Sequence, residues 1–220
     1  MAVTVNAMSS DLADFVVEST RLEPVPFVPE IVMYMAEEAV PLWQRTEQVA
    51  GAAHLPPPFW AFPWAGGQGL ARFVIDHPDL VRGKHVLDLA SGGGLVAIAA
   101  VKAGAASVTA NEIDPYADAA ITLNAAANHV TVERALGDLL DGDTDAALVL
   151  AGDVFYSRAM ADRMLAFMRR AAAAGAEVLV GDPGRAYAPS DVTTLAIYDV
   201  PVIRDLEDAD IKVVRVIRIA

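Results

Sequence analysis

The sequence predicts an α/β fold built on a doubly wound, mostly parallel sheet of seven strands. From Lys84 onward, apolar runs typical of strands alternate with helical patterns, an order that favours a parallel sheet with helices on both faces. A glycine-rich turn follows the first of these apolar runs. The last two strand-like runs have no helical pattern between them, so we expect one antiparallel strand near the C-terminus.

The individual elements follow from apolar runs and from residues that begin or end helices. A continuous apolar run such as 146–150 is typical of a central parallel strand. Pro115 stands where a helix tolerates a missing N–H, and Gly175 follows a helical pattern as a terminating glycine. Helices are therefore predicted over 95–101, 114–127 and 158–174, and strands over 84–87, 107–111, 130–133, 146–150, 177–181, 192–200 and 211–219.

The glycine-rich turn runs from Asp88 to Gly94 and joins a strand to a helix. Such turns bind nucleotides because free N–H groups and the helix dipole meet there, and this one satisfies the dinucleotide pattern G-x-G-x-x-A. A nicotinamide cofactor, however, would place its pyrophosphate beside the carboxylate of Asp88. S-adenosylmethionine carries an ammonium and a sulfonium, which Asp88 favours. A turn that only packs the helix on the sheet is the alternative this pattern leaves open.

Two further acidic positions indicate where an adenosine group would lie. Glu112 ends the second predicted strand, at the distance from the glycines where a carboxylate accepts hydrogen bonds from ribose hydroxyls. Asp138 follows the third predicted strand and is the candidate for the adenine amino group, whereas Asp141, Asp143 and Asp145 are interpreted as solvated loop acids.

The N-terminal third differs from the rest of the chain. We expect a helical arm over residues 1–58 that packs on a larger domain over 59–220, which contains the glycine-rich turn, with helices at 11–20 and 29–38 separated by prolines. Aromatic residues cluster directly after the arm. Core packing explains them as well as a binding role does, in which Trp60 or Trp64 covers a bound cofactor or lines the substrate entrance.

Composition excludes several classes of function. The net charge of −13 argues against nucleic acid as a partner and suits a cationic protein. The chain has no cysteine, and its four histidines are far apart in the sequence, so we expect no metal site. Neither a signal sequence nor a membrane-spanning apolar run is visible, which predicts a cytoplasmic protein without membrane association.

Taken together, these motifs resemble the seven-strand, Rossmann-like class I S-adenosylmethionine-dependent methyltransferases. Among them the sequence is most similar to the lysine methyltransferases of the electron transfer flavoprotein beta subunit, whose bacterial relatives often carry the label nicotinamide N-methylase-like. The resemblance spans nearly the whole chain. The segments that carry it include Pro58-Phe-Trp-Ala61, Trp64, Gly66-Gly-Gln68, Asn111-Glu-Ile-Asp-Pro115, Gly152-Asp-Val-Phe-Tyr156 and Gly181-Asp-Pro-Gly184. The last two and the Trp64 segment are more specific than the glycine loop.

The resemblance implies a role for each matching position. The implied cofactor is S-adenosylmethionine, with S-adenosylhomocysteine as product and no metal. Asp153 would hold the incoming ammonium, and Phe155 or Tyr156 would wall the acceptor channel, which makes these three the candidate catalytic residues. The cofactor-binding candidates are Trp64, Gln68, Asp88, Ala90, Ser91, Gly92, Gly94, Glu112, Ile113, Asp138, Leu139 and Asp153.

Three departures from the family pattern accompany the resemblance. Ala90 stands where many members have the first glycine, which we expect to be a mild change. Gly93 replaces a residue that is often larger, and we expect it to loosen the loop. Ser157 follows Tyr156 where the flavoprotein enzyme has a second acid, which leaves the substrate more open than the chemistry.

The expected function is methyl transfer to lysine side chains of a protein, either the electron transfer flavoprotein beta subunit or a ribosomal protein. We expect a monomer whose partner is a protein with accessible lysines. Three alternatives remain at this point: an N-methyltransferase for a small amine or pyridine, a non-catalytic module that binds the cofactor, and a nicotinamide-dependent dehydrogenase, which Asp88 argues against.

Overall fold

The computed structural model describes residues 2–203, 207 and 209–220. None of the helices in this part of the chain is long and apolar enough to cross a membrane. The helices are α1 (Ala2–Ser19), α2 (Ala39–Ala50), α3 (Ala65–Asp76), α4 (Leu95–Lys102), α5 (Pro115–Ala127) and α6 (Arg158–Ala173). The strands are β1 (Arg21–Val25), β2 (Val28–Met35), β3 (His85–Leu89), β4 (Ser107–Glu112), β5 (Glu133–Leu136), β6 (Leu148–Gly152), β7 (Glu177–Asp182), β8 (Thr193–Pro201) and β9 (Ile211–Arg218).

The main sheet has seven strands in the order β5-β4-β3-β6-β7-β9-β8. Neighbouring strands from β5 to β7 are parallel, whereas β9 is antiparallel to both β7 and β8. The predicted seven-stranded sheet with one antiparallel strand is therefore confirmed. The chain runs outward in one direction from β3 to β5 and in the other from β6 to β7, so the strand order reverses beside β3. Open α/β sheets bind their ligands at such a point, outside the carboxyl ends of the strands.

The core lies on both faces of this sheet because the central strands are apolar on both sides. Leu148 and Leu150 of β6 face a cluster that includes residues of α3 and α4. Val149 and Ala151, which alternate with them, face a second cluster that includes α6. A strand buried on both faces is rigid and can hold the side chains at its carboxyl end in fixed positions.

Glycines allow the first turn of α3 to lie directly against the ends of β6 and β7. A Cβ atom built on Gly66 would come within 2.3 Å of the Gly181 carbonyl oxygen. One built on Gly152 would come within 2.7 Å of the Gly67 Cα. No larger residue fits at these positions without separating the helix from the strands. Three motifs that are distant in the sequence therefore meet at one backbone contact.

The structure corrects the prediction of a helical N-terminal arm. Residues 21–35 form the antiparallel hairpin β1–β2, so the predicted helix at 29–38 is wrong. Side-chain amides of α5 satisfy the outer edge of β2. Asn124 accepts a hydrogen bond from the Tyr34 N–H at 2.8 Å, and Asn128 exchanges two with the backbone of Val32, at 3.1 and 2.6 Å. These partners lie about 90 residues away in the chain, beyond the reach of local pattern.

The third strand of the sheet is also displaced from its predicted position. The ladder between β4 and β5 begins at the pair Thr109 and Glu133, whereas the prediction ended the strand at Glu133. The N–H of Val130 instead bonds to the Ala125 carbonyl and terminates α5. The β-branched residues at 130–132 therefore approach the sheet without pairing in it.

We expect Gly66→Ala to lower the free energy of unfolding by about 3 kcal/mol, since the added methyl would overlap the Gly181 carbonyl. The matched control is Gly67→Ala, one residue along the same helix. A Cβ there meets only a Leu95 methyl at 4.0 Å, so its unfolding free energy should stay within about 1 kcal/mol of wild type. Urea unfolding followed by circular dichroism measures both, and equal losses for the two variants would contradict the packing argument.

Candidate cofactor and acceptor site

Four acidic side chains lie at the carboxyl ends of four neighbouring strands. Asp88 is the penultimate residue of β3, Glu112 ends β4, Asp153 follows β6, and Asp182 ends β7. Parallel strands end at the same edge of a sheet, so the fold collects these carboxylates along one edge. Their environments differ, and these differences decide what each can do.

The loop after β3 has the backbone conformation that its glycines permit. Gly92 and Gly94 have φ values of +56° and +87°, in the left-handed region that glycine adopts without cost. Ala90 has the same kind of conformation, with φ +53°, where an alanine is strained by about 1 kcal/mol. Alanine in place of the family's glycine at position 90 therefore adds a small strain to the backbone. The expected change is mild in this sense, although it is not absent.

Gly93 does not loosen the loop, contrary to the expectation from its size. A Cβ on Gly93 would come within 2.6 Å of the Met33 methyl and 2.7 Å of the Trp60 carbonyl oxygen. The Gly93 carbonyl accepts a hydrogen bond from the Asn124 side chain at 2.8 Å. The hairpin and α5 thus hold the loop from above, and the glycine makes this close packing possible.

Asp88 is buried beneath the loop, with 1% of its surface exposed. Its Oδ2 accepts hydrogen bonds from the Ser91 hydroxyl and from the Ala97 N–H, the latter at 2.9 Å. Burial raises the pKa of Asp88 to about 7. The carboxyl group therefore shapes the loop and the start of α4, and any effect on a ligand acts as a charge beneath the loop.

Glu112 is the strand-end carboxylate that faces the loop from β4. It accepts hydrogen bonds from the N–H groups of Gly92, at 2.9 Å, and of Ile113, at 2.8 Å. Burial raises its pKa above the ordinary value, although these hydrogen bonds oppose the shift. The neighbouring Ile113 side chain is 71% exposed, an unusual position for an isoleucine. Together they offer a carboxylate and an apolar surface side by side.

Asp138 lies two residues beyond β5 and is bound to groups of the protein. One oxygen accepts from the Leu140 N–H at 2.9 Å and the other pairs with Arg163 at 2.7 Å. The hydrogen bond from Arg163 holds the pKa of Asp138 below its usual range. Leu139 is partly exposed beside it. An adenine amino group would have to share Asp138 with these two donors.

Gln68 and Trp60 are structural residues. Gln68 is buried, and its amide is fully used: it accepts from the Phe27 N–H and donates to the Pro63 and Pro201 carbonyls. This corrects the prediction that Gln68 binds cofactor. Trp60 is also buried, in a cluster with residues of α1, α2 and α5, so core packing is the correct interpretation of Trp60.

Phe59, Trp64 and Tyr156 form an aromatic rim at this edge of the sheet. The ring centroids of Phe59 lie 5.8 Å from Trp64 and 5.4 Å from Tyr156. The Trp64 indole N–H donates to the Phe59 carbonyl at 2.9 Å, which fixes its orientation. Tyr156 is 44% exposed, and burial, with smaller effects from Glu112 and Asp153, raises its pKa. The rim therefore remains neutral and apolar at physiological pH.

Asp153 has a strained backbone and a buried, paired carboxylate. Its φ is +63°, rare for a residue with a side chain. Its N–H donates to the Gly181 carbonyl at 2.9 Å, and its Oδ2 accepts from the Gly66 N–H at 3.2 Å. Phe155, two residues on, is buried in the cluster against α6. The prediction that Phe155 walls an acceptor channel is therefore wrong.

Arg185 is the residue of this site that sequence reasoning missed. Its Nε and Nη2 lie 2.5 and 3.1 Å from the two oxygens of Asp153, and Nη2 is also 3.1 Å from Glu207. Burial lowers its pKa, but the hydrogen bonds and charges of these acids outweigh burial, and the pKa lies above its ordinary value. The sequence feature that could have indicated Arg185 is its position directly after segment 181–184, which resembles the family.

Asp182 holds the loop that carries Arg185. Its two oxygens accept from the backbone N–H groups of Gly184 and Arg185, both at 3.1 Å. The Arg215 guanidinium neutralises this buried carboxylate from β9, also at 3.1 Å. The loop after β7 is therefore fixed at its first turn, and Arg185 projects from a rigid base.

A small apolar cavity of about 100 Å³ lies beside Trp64. Glu207 lines it, with an Oε2 that has no hydrogen-bond partner in the described part of the chain. Among residues 2–203, 207 and 209–220, no three His, Asp or Glu side chains are grouped as a metal site. The remaining lining residues are Pro26, Phe62, Pro63, Gln68, Pro201, Val202 and Ile203.

Known proteins that match most of this sequence carry one family name. The electron transfer flavoprotein beta subunit lysine methyltransferase of Xenopus laevis is 36% identical over 196 residues, which cover 88% of this chain and 75% of that protein. The human enzyme of the same name is 45% identical over 131 residues, 58% of this chain and 50% of that one. The chain belongs to this family. It is a methyltransferase that depends on S-adenosylmethionine.

Two broader comparisons agree with the fold. The sequence model of the ribosomal protein L11 methyltransferase (PrmA) family matches residues 74–174, from α3 to the end of α6. The crystal structure of TrmN from Thermus thermophilus superimposes with a TM-score of 0.50 at 19% identity, over 81% of this chain and 53% of that one. The family segment includes β3 to β6, and the N-terminal hairpin lies outside it.

We expect Asp88→Asn to change the dependence of stability on pH. A carboxyl group whose pKa is raised from 3.8 to about 7 on folding stabilises the folded state most below pH 4, and that contribution is lost as the pH rises to 7. Asparagine keeps the acceptor for the Ala97 N–H but carries no charge. Between pH 5 and pH 8 the variant should gain about 2–3 kcal/mol of unfolding free energy relative to wild type.

Urea unfolding at the two pH values measures this difference, with Asp191→Asn as the control. Asp191 is exposed and pairs with Arg169 on the surface, so its substitution should leave the pH dependence unchanged. If the unfolding free energies of wild type and Asp88→Asn change equally between the two pH values, ionisation of Asp88 costs the folded state little free energy and the prediction is wrong.

Proposed function

We propose that the enzyme transfers the methyl group of S-adenosylmethionine to the ε-amino group of a lysine in a protein substrate. The observation that carries this proposal is the position of the Asp153 side chain. Its carboxylate lies at the end of β6, behind a rim of exposed aromatic side chains, on the sheet edge that also carries the glycine loop. A carboxylate framed by aromatic rings suits a long apolar chain that ends in a cation.

The loop after β3 fits the methyl donor in its charges and its free surface. Gly92 presents an open backbone, since a Cβ there would approach only the Trp60 Cα, at 3.9 Å. We assign Glu112 to the ribose hydroxyls, Ile113 and Leu139 to the adenine face, and the loop at Ala90, Ser91, Gly92 and Gly94, above Asp88, to the methionine end. When bound, S-adenosylmethionine supplies a methyl group on a positively charged sulfur. Trp64 would cover it, and Asp138 would meet the adenine edge if Arg163 shares it.

The acceptor amine must lose a proton before it can attack. A lysine with a pKa near 10.4 is protonated at about pH 7 in more than 99.9% of molecules. Asp153 would orient the ammonium, while Phe59, Trp64 and Tyr156 remove water from the alkyl chain. Desolvation lowers the pKa of an amine, and alignment within the rim contributes most of the rate, about 7–11 kcal/mol for a well-oriented pair.

The family supplies the candidate substrates. Relatives are named for the electron transfer flavoprotein beta subunit, and the matching family model for ribosomal protein L11. The net charge of −13 favours a lysine-rich protein surface over nucleic acid. We propose the flavoprotein beta subunit as the first candidate and L11 as the second, with the enzyme acting as a cytoplasmic monomer.

The deciding experiment offers the purified enzyme three acceptors in the presence of tritiated S-adenosylmethionine: the flavoprotein beta subunit, ribosomal protein L11, and nicotinamide. Label in a protein band, located on a lysine by mass spectrometry of the peptide, supports the proposal. Label only in the small-molecule fraction would replace it with a metabolite N-methyltransferase. Cofactor binding without transfer to any acceptor would indicate a non-catalytic module.

We expect Asp153→Asn to reduce kcat about 100-fold or more, because a misplaced acceptor loses alignment, while the affinity for S-adenosylhomocysteine changes little. Tyr156→Phe, which keeps the ring, should cause a smaller loss. Asp191→Asn is the matched control, since it removes an exposed carboxylate that also pairs with an arginine. Wild-type turnover by Asp153→Asn would show that the acceptor lies elsewhere.

We expect Glu112→Gln to weaken binding of S-adenosylhomocysteine 10- to 100-fold, which corresponds to charged hydrogen bonds of about 1.5–3 kcal/mol. Glutamine keeps an acceptor for the Gly92 N–H but loses the charge offered to the ribose. Isothermal titration calorimetry measures the affinity. Glu133→Gln, at the start of β5, removes an acid of the neighbouring strand and should bind like wild type; unchanged affinity in Glu112→Gln would refute the ribose assignment.

A further inference from the structure

The carboxylate proposed to receive the substrate amine is already paired with a cation. Arg185 contacts both oxygens of Asp153, through Nε at 2.5 Å and Nη2 at 3.1 Å, and the Gly66 N–H contacts Oδ2 at 3.2 Å. A carboxylate offers about four acceptor positions. Described residues of the chain use three of them, which leaves one on Oδ1. A substrate ammonium can therefore bind Asp153 only beside the guanidinium of Arg185.

Arg185 is held in this position from its other side. Its Nη2 lies 3.1 Å from Glu207 Oε1, and its backbone N–H is bound by Asp182. A guanidinium stays protonated at every pH at which the enzyme would work. The positive charge beside Asp153 is thus permanent and fixed, in contrast to that of a lysine.

Two cations bound to one carboxylate lie within about 4–6 Å of each other, a distance at which like charge disfavours the protonated form of an amine. Without Arg185, Asp153 would be an unpaired buried carboxylate, which binds an ammonium strongly and keeps its proton in place. With Arg185, much of that attraction is cancelled. The same carboxylate then orients the amine by a hydrogen bond while favouring the ammonium far less.

We propose that Arg185 is a positioning residue that keeps Asp153 from retaining the acceptor lysine as an ammonium, so that the amine loses its proton to solvent water at neutral pH. This inference rests on the proposed function of Asp153. Arg185 itself need not touch the substrate. It acts through Asp153, by its charge and by fixing the direction of the free Oδ1 acceptor.

Among the residues that the structure describes, Arg185 is the cation that contacts Asp153. Glu207 contacts Arg185 from the segment before β9 and has Lys212 at 3.9 Å from its second oxygen. Asp182 on β7 is neutralised by Arg215 on β9. The charge of Glu112, at the end of β4, contributes to the raised pKa of Tyr156. Glu207 and Lys212 offset each other, as do Asp182 and Arg215, so substitution of Arg185 changes the charge beside Asp153 by a full unit.

The test compares Arg185→Gln with Arg185→Lys in a methyl-transfer assay between pH 6.5 and 9.5. The substrate is the protein that accepts the methyl group in the three-acceptor experiment described above. In Arg185→Gln the rising limb of the kcat profile should move up by about one pH unit, since the bound amine keeps its proton longer. At pH 7 kcat should fall about tenfold and approach wild type at high pH, while KM for the protein stays equal or falls. Arg185→Lys restores the charge and should return the limb toward its wild-type position.

Arg169→Gln is the matched control, since it removes an arginine from a surface pair with Asp191, and its profile should match wild type. A loss of kcat in Arg185→Gln that is equal at every pH, with circular dichroism and thermal unfolding unchanged, would overturn the inference and leave Asp153 in place. Wild-type turnover by Asp153→Asn would instead overturn the proposed acceptor site. If Arg185→Gln unfolds, Arg185→Lys alone decides. A kcat profile with its rising limb at the wild-type pH and with full activity supports a role for the charge at position 185. A loss of kcat that is equal at every pH contradicts that role.

Discussion

The candidate site depends on one contact between backbones, the first turn of α3 against the ends of β6 and β7. Glycines at 66, 67, 152 and 181 remove the side chains that would keep these segments apart. The contact places the Gly66 N–H on the carboxylate of Asp153 and the Asp153 N–H on the Gly181 carbonyl. Asp153 is thereby held in a left-handed conformation that an isolated loop would not maintain, and its side chain turns toward Arg185. Since α3 begins directly after Trp64, the same contact sets the position of the aromatic rim.

Similar carboxylates serve different purposes along this edge because their surroundings differ. Asp88 is sealed beneath the glycine loop and stabilises the loop and the start of α4. Glu112 is bound by backbone N–H groups but remains beside an exposed apolar side chain, where a ligand can reach it. Asp153 is paired with a guanidinium, and the described residues leave one of its acceptor positions open. Burial, backbone donors and a charged partner thus give different environments to acids that look alike in the sequence, and the roles we propose for them follow these differences.

Much of the fold could be predicted because its signals are local. Apolar runs marked the strands of the main sheet, Asp114 and Pro115 marked the start of α5, and the lack of a helix before β9 indicated the antiparallel strand. The hairpin β1–β2 was missed because Asn124 and Asn128 of α5 complete its edge from far along the chain. Gln68 and Phe155 were assigned to the site from their motifs alone. Whether a motif residue faces a ligand or the core depends on packing, which the motif does not encode.

The sequence by itself determined the class of enzyme, since the glycine loop, Glu112 and the family-like segments identify a methyltransferase wherever their side chains point. The tertiary structure decided which charges meet. Arg185 lies 32 residues from Asp153 in the chain, and Glu207 lies 22 residues beyond Arg185. Neither distance suggests contact, because the pairing depends on parallel strands that end at one edge and on a loop that Asp182 fixes there. Electrostatic interactions depend on distance in space, and the fold alone brings these groups within 3 Å or so of each other.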